Sequence, residues 1–187
     1  MTRNETYNLL EKYITNKVLL KHSLATEAAM RTLANYFGED EDLWGLVGLL
    51  HDADYQLSRG NPSKHGKILF EKEKDLQDEL PKEVVHAIAA HNYLYNHVQP
   101  ESKMDWAIAC CDELTGLIVA EANVLPSRKI HDVKVEYLMK RVRQKNFQKH
   151  AERTNIFLCD VKLKIPLIEF VTMTLTAMQH ISADLGM

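Results

Sequence analysis

Residues 43–50, LWGLVGLL, offer a helix with no polar face. Leu46, Val47, Leu49 and Leu50 carry apolar character nearly all the way round. A helix of this kind cannot lie on a surface and must be enclosed by other elements. Its continuation changes character at once, because His51, Asp52 and Asp54 arrive within one helical turn. Burying a charge costs several kcal/mol unless the charge is paired or bound to a metal. The end of this central helix therefore demands a compensating partner.

The surrounding chain is itself helical. Only seven Gly and five Pro punctuate it, and the segments between them follow a helical period. The pattern predicts helices over about 4–15, 17–37, 40–58, 64–75, 81–95, 102–123, 131–145 and 156–183. Gly38 is placed to end one of them. RGNPS at 59–63 reads as a loop in which Ser63 could cap the next helix. Pro81 suits a first helical turn. No segment alternates convincingly enough for a strand, and no repeat or low-complexity linker divides the chain. The expectation is an all-α fold in a single domain over 1–187. From about residue 126 the chain is more polar and basic until an apolar C-terminal helix. This last third either packs on the first part as a cap or makes a subunit contact, as in a homodimer.

Bulk properties narrow the partners. An apolar fraction of 45% and a charged fraction of 26% are those of a soluble globular protein. The net charge of −3 gives no basic face for a nucleic-acid polymer. No secretory signal is visible, and no apolar run reaches the roughly 18–20 residues of a membrane span. Three cysteines, with Cys110 beside Cys111, argue against a disulfide framework and for a reduced, cytoplasmic chain.

Polar ligand types interrupt four apolar helices. His22 lies in LLKHSLATEAAM; alone, it reads more readily as a core or surface histidine than as a ligand. His51 and Asp52 are adjacent, so on a regular helix they point about 100° apart. Both can serve one ion only near a helix end, where the dipole also favours a cation, or where the ion sits in the angle between them. In EVVHAIAAHNYLYNH, His86 and His91 lie about 140° apart and cannot share a site squarely. His91, near the end of its apolar helix, is preferred, with His86 in reserve; His97 falls in a loop. His65, beside Gly66 in NPSKHGKILF, gains weight only from the others. The fourth site is Asp112–Glu113 in MDWAIACCDELTGLIVAEANVL. Gly116 costs its helix about 1 kcal/mol relative to Ala, which implies a packing reason and leaves room beside the carboxylate. The dipeptide recurs as His131–Asp132, but there it opens a polar helix with an acidic first turn, and no metal is assigned to it.

The order of these elements, one His, then His–Asp, then further His, then a distal Asp, resembles the HD-domain metallophosphohydrolase superfamily. The resemblance covers about residues 17–123 and extends weakly into the C-terminal helices. It implies a helical bundle of about seven to eight helices, with 126–187 as an extension on the core. It also implies that His22, His51, Asp52 and Asp112 hold one divalent ion. A second ion would use His65 and His91, with Asp52 bridging. Imidazole and carboxylate ligands suit Mn, Fe, Ni, Co or Zn better than Ca, and Mg is admissible. A divalent ion lowers the pKa of bound water toward neutrality, so hydroxide becomes available at pH 7.

The implied activity is metal-dependent hydrolysis of a phosphomonoester, phosphodiester or pyrophosphate bond in a nucleotide or other small phosphate ester. Asp52 would serve catalysis as well as the metal. Asp54 and Glu113 would either orient a ligand or accept a proton, unless they are solvated helix-end carboxylates. One departure stands out: several superfamily members carry a Lys shortly after the His–Asp pair, where this chain has Asp54. The phosphate-facing cation would then be Lys21, Arg59, Lys64 or Lys67. Two rival functions fit the same ligands: a di-iron oxygenase with iron in both positions, or a non-catalytic nucleotide-binding or sensor domain, whose structural metal would be coordinatively closed.

Overall fold

In a computed structural model of the chain, residues 1–144 and 153–187 are described. Local signals place most boundaries. Helix α1 runs Arg3–Tyr13, closed at its start by a Thr2–Glu5 capping box. Helix α2 runs Lys17–Phe37; the Asn16 side chain accepts from Val18 N at its start, and Gly38 ends it in the left-handed region at φ 69°. Helix α3, Glu41–Leu50, starts at Asp40, whose carboxylate accepts from two backbone N–H groups. Trp44 to Leu50 are all buried in it, so the helix without a polar face is enclosed on every side.

Residues 51–58, expected to continue α3, instead form tight turns bonded three residues back, such as Ala53 N to Leu50 O and Tyr55 N to Asp52 O. Helix α4, Ile68–Lys72, and α5, Lys74–Glu79, replace the expected single helix over 64–75. Ser63 lies within a short 3₁₀ turn, Pro62–Lys64, and donates to Asn61 rather than capping a helix. Helix α6 is Lys82–Ala90 and begins directly after Pro81. Helix α7 is Tyr93–Asn96, and α8 is Lys103–Val124 behind a Ser102–Asp105 capping box.

The C-terminal third departs further from expectation. After a 3₁₀ turn at Ile130–Asp132, α9 spans only Val135–Arg141; position 145 of the predicted helix lies outside the described residues. The single helix expected over 156–183 is divided. It becomes α10, Arg153–Leu158, a π-helical turn at Cys159–Leu163, α11, Leu167–His180, and α12, Ser182–Leu185. Pro166 accounts for the interruption before α11: proline has no N–H to donate and biases the residue before it away from helix.

The chain is all-α over its described residues. Helix α2 packs on α3, α8 and α11, while α8 also receives α6, α9 and α10. The apolar core, with Met30, Leu33, Leu50, Ile88, Ile108, Leu114 and Phe170 fully buried, is thus shared by the N-terminal helices and the C-terminal third. No helix among the described residues is long and apolar enough to cross a membrane. The three cysteines are free and buried.

Gly48 sets the closest approach in this core. A Cβ there would stand 2.7 Å from the Thr26 carbonyl and 2.8 Å from the Glu27 backbone. Two backbones cannot yield as a side chain can, so α3 would have to move off α2. Gly48→Ala is therefore expected to lose at least ~1–3 kcal/mol, the usual range for overpacking. Thermal denaturation tests this, and an unchanged melting temperature would refute it.

Candidate metal centre

Helix ends supply the first two rings. His51 follows the last residue of α3, and His91 follows the last residue of α6. Each donates from Nδ1 to the carbonyl three residues back: His51 to Gly48 O at 2.8 Å, and His91 to Ile88 O at 2.5 Å. The last carbonyls of a helix lack intrahelical donors, so each ring satisfies one and is fixed in doing so. Its Nε2 then points away from the helix with its lone pair free.

His65 and His22 are held differently. His65 donates from Nδ1 to Asp54 Oδ1 at 2.7 Å. The same carboxylate accepts from Gly66 N and Leu69 N. Asp54 is buried, so it is no solvated carboxylate, and it is placed to orient His65. Gly66 makes this possible: its φ of +83° is open to glycine, and a Cβ would lie 2.9 Å from Ile88 O. His22, within α2, has Nδ1 3.3 Å from Thr115 Oγ1, and that hydroxyl donates to Asp112 O at 2.8 Å. Thr115 Oγ1 also meets Thr26 Oγ1 at 3.3 Å, joining α8 to α2 beside the site.

Four Nε2 atoms converge as a result. His22 and His51 approach to 3.2 Å, and His65 and His91 to 3.0 Å. Asp52 stands between the pairs. Its Oδ2 is 3.6 Å from both His22 and His51, and its Oδ1 is 2.9 Å from His65 and 3.6 Å from His91. Asp112 Oδ1 closes on the first pair, 2.8 Å from His22 and 3.5 Å from His51. Among the described residues two groups could each hold a metal ion, His22–His51–Asp52 and Asp52–His65–His91. With every Nδ1 acting as donor, the paired Nε2 lone pairs face one another and require a positive charge between them. A metal ion fits that requirement.

Without a cation, protons take its place. Burial opposes charge on His22, but the hydrogen bond to Asp112 and the fields of Asp112, Asp52 and Glu113 outweigh it and raise the ring to about 9. Burial likewise opposes charge on His65, yet Asp52 and Asp54 raise it to about 10. Burial lowers His91, aided by the neighbouring His65 and His51. Burial alone would raise Asp52, Asp54 and Asp112. The surrounding rings, with the Gly66 and Leu69 N–H groups at Asp54, hold all three low.

A cavity of about 330 Å³ opens over the cluster. His22, Asp52, His65, His91 and Asp112 form one wall; Glu113 and Gly116 are also at its edge. A Cβ on Gly116 would touch nothing within 4 Å, so the missing side chain leaves space in the cavity. A second cavity, of about 610 Å³, shares Tyr55, His65, Asn92 and Tyr95 with the first and contains Arg59. Of the other three cations, Lys67 donates to Asn96 O, Lys64 pairs with Glu71, and Lys21 is exposed; none of them lines either cavity.

The other histidines weighed in the sequence lie elsewhere. His86 Nδ1 is 3.0 Å from Asp105 Oδ2 and ties α6 to the start of α8. His97 is exposed. His131 and Asp132 are exposed, with His131 Nε2 against Ser182 Oγ. Thr115, Asn92, Tyr55, Tyr95 and Asn155 border the site, and none of them was a candidate in the sequence. Only Thr115, one turn from Asp112, could have been found by helical spacing.

The model of the HD-domain family matches residues 19–117, just over half of the chain. The chain belongs to the HD-domain family. That family consists mostly of metal-dependent phosphohydrolases, and its matched span contains all six converging side chains. No curated protein and no solved structure shows a significant match to the chain.

The Asp54 bond carries a prediction for the centre. Asp54→Asn keeps the side chain's shape but cannot accept from three donors on two carboxylate oxygens. His65 then loses its fixed orientation. Outer-shell partners of this kind are typically worth about 10–100-fold in metal affinity. Titration with Mn²⁺ is expected to show one weakened site, the one that uses His65, and one little changed. Affinities unchanged from those of the parent protein would refute the role.

Proposed function

We propose that the protein is a metal-dependent phosphohydrolase acting on a small phosphate ester, with nucleotides as the leading substrate class. One observation carries the reading: Asp52 offers its two oxygens to two histidine pairs at the wall of an open cavity. Structural metal sites tend to be closed, whereas catalytic ones keep a position for water or substrate. Bound there, a divalent ion would make water acidic enough to ionise near neutral pH and would draw charge from a phosphoryl oxygen.

The chain's own residues do the rest. Gly48 O, Ile88 O, Asp54 and Thr115 hold four rings so that each presents a single nitrogen. Glu113, on the cavity wall, is a carboxylate within reach of water or substrate there, suited to holding a proton. Arg59, in the adjoining cavity, supplies the cation that Asp54 does not, and a guanidinium matches phosphate geometry. Leu94, Leu117, Tyr55 and Tyr95 give the leaving group an apolar surface.

Elemental analysis of the purified protein, then hydrolysis of p-nitrophenyl phosphate, its bis ester and a nucleotide panel, tests the reading. Transition metal in the protein and chelator-sensitive hydrolysis, read as p-nitrophenol, phosphate or pyrophosphate released, are expected. Metal-loaded protein that hydrolyses none of them would overturn it. Oxygen consumption by an iron-loaded form would point to the oxygenase instead.

A further inference from the structure

One residue that lines the metal cavity comes from outside the family-matched span. Asn155, in α10, lines the cavity together with His22, Asp52 and Asp112, although the HD-domain match ends at residue 117. Asn155 is 5% exposed. A buried amide normally satisfies both of its ends. Among the described residues only one is engaged: Asn155 Oδ1 accepts from Tyr93 OH at 2.8 Å. Among the described residues Nδ2 has no acceptor, and it is not sealed off from solvent as a fully buried atom would be.

The Tyr93 contact fixes which way the amide faces. Tyr93 is itself braced, its ring edge-on to Trp106 at 5.8 Å, and Lys162 covers Trp106 at 4.4 Å. Tyr93 lies two residues beyond His91, so the group that holds Asn155 belongs to the same turn that supplies a candidate metal ligand. With Oδ1 held by Tyr93, the two N–H bonds of Nδ2 remain as the donor that this cavity-lining side chain has to offer. What such a donor can meet is an acceptor on the bound molecule.

We propose that Asn155 is a specificity-determining residue, whose Nδ2 donates to an anionic oxygen of the phosphate ester bound at the metal centre. The inference rests on the cavity being the substrate site. It also gives the C-terminal third a function: it completes the binding pocket that the HD-matched helices leave open. The amide is neutral, so it takes a phosphoryl oxygen without adding charge to the cluster.

The test uses full-length, Mn²⁺-loaded protein and inorganic phosphate as the probe, with p-nitrophenyl phosphate kinetics beside it. Two variants separate binding from support. Asn155→Asp keeps the oxygen that accepts from Tyr93 and replaces the donor with a negative acceptor. Asn155→Ala removes both ends. A hydrogen bond to a charged group corresponds to about 10- to 100-fold in affinity. Phosphate affinity is expected to fall by about tenfold in Asn155→Ala and further in Asn155→Asp. KM for p-nitrophenyl phosphate should rise in the same order with kcat less affected, as expected when ground-state and transition-state binding are lost together. Metal content should not change.

A purely supporting role gives the opposite order, with Asn155→Asp like the parent and Asn155→Ala impaired, and overturns the proposal. So does metal-loaded parent protein that binds no phosphate. If the parent binds phosphate but hydrolyses nothing, the phosphohydrolase reading falls while the order of the two variants still decides the role of Asn155.

Discussion

Asp52→Ala will leave the protein without stably bound metal and reduce phosphate-ester hydrolysis by about 10³-fold or more. The size follows from position. Asp52 is the side chain common to both metal-competent groups, so its loss damages two sites at once. Metal ions contribute several kcal/mol of charge stabilisation in the transition state, and each 1.36 kcal/mol is a factor of ten. Metal content by elemental analysis should fall in parallel with kcat, which separates loss of the ion from misfolding. A control is built into the chain, since His131–Asp132 repeats the dipeptide on an exposed 3₁₀ turn. Asp132→Ala should leave both metal content and rate within error of the parent. Full activity in Asp52→Ala would sink the assignment.

Reading the chain by period and punctuation locates its helices well where packing and capping agree. The 17–37 pattern and Gly38 match α2, and both are visible in the residues. Where the reading slips, the cause is physical. The α3 pattern continues past Leu50, yet beyond His51 the chain tightens into turns bonded three residues back, a change of hydrogen bonding that an apolar period does not reveal. Pro166 breaks what periodicity alone joins. The candidate ligands are legible as types in an order, but one dipeptide occurs twice, and only three-dimensional convergence distinguishes His51–Asp52 from its copy. The supports are less legible. Two are backbone carbonyls, Gly48 O and Ile88 O, which no residue identity announces. Thr115 and Asn155 are ordinary polar residues whose role exists only once α8 and α10 have packed. Asp54 illustrates the limit best. Its place beside the His–Asp pair suggested either proton transfer or ligand orientation, and only the partners of its two oxygens show what it holds.

Those same partners set how the protein responds to pH. The metal-free protein is expected to lose stability as pH rises from 6.5 to 10. Folding raises His22 to about 9 and His65 to about 10. A ring whose pKa is raised by folding stabilises the folded state fully below its unfolded value, near 6.5, and that contribution is lost as pH climbs through the folded value. Each ring contributes a slope of up to ~1.4 kcal/mol per pH unit across its window. The opposite flank has other owners. His91 is lowered by burial, so below pH 6.5 the unfolded chain binds its proton more readily and stability declines. Asp52, Asp54 and Asp112 are lowered too; their contribution is present above about 3.8 and disappears as pH falls through their folded values. Stability without metal should therefore peak near pH 6.5. Metal ligands must be deprotonated to bind, so Mn²⁺ displaces the protons on His22 and His65 and reverses the alkaline trend. Melting temperatures between pH 5 and 10, in chelator and in excess Mn²⁺, measure the difference. The two curves should diverge steadily above pH 6.5. A chelated protein whose melting temperature climbs from pH 6.5 to 9 would show that protons do not fill the centre in this way.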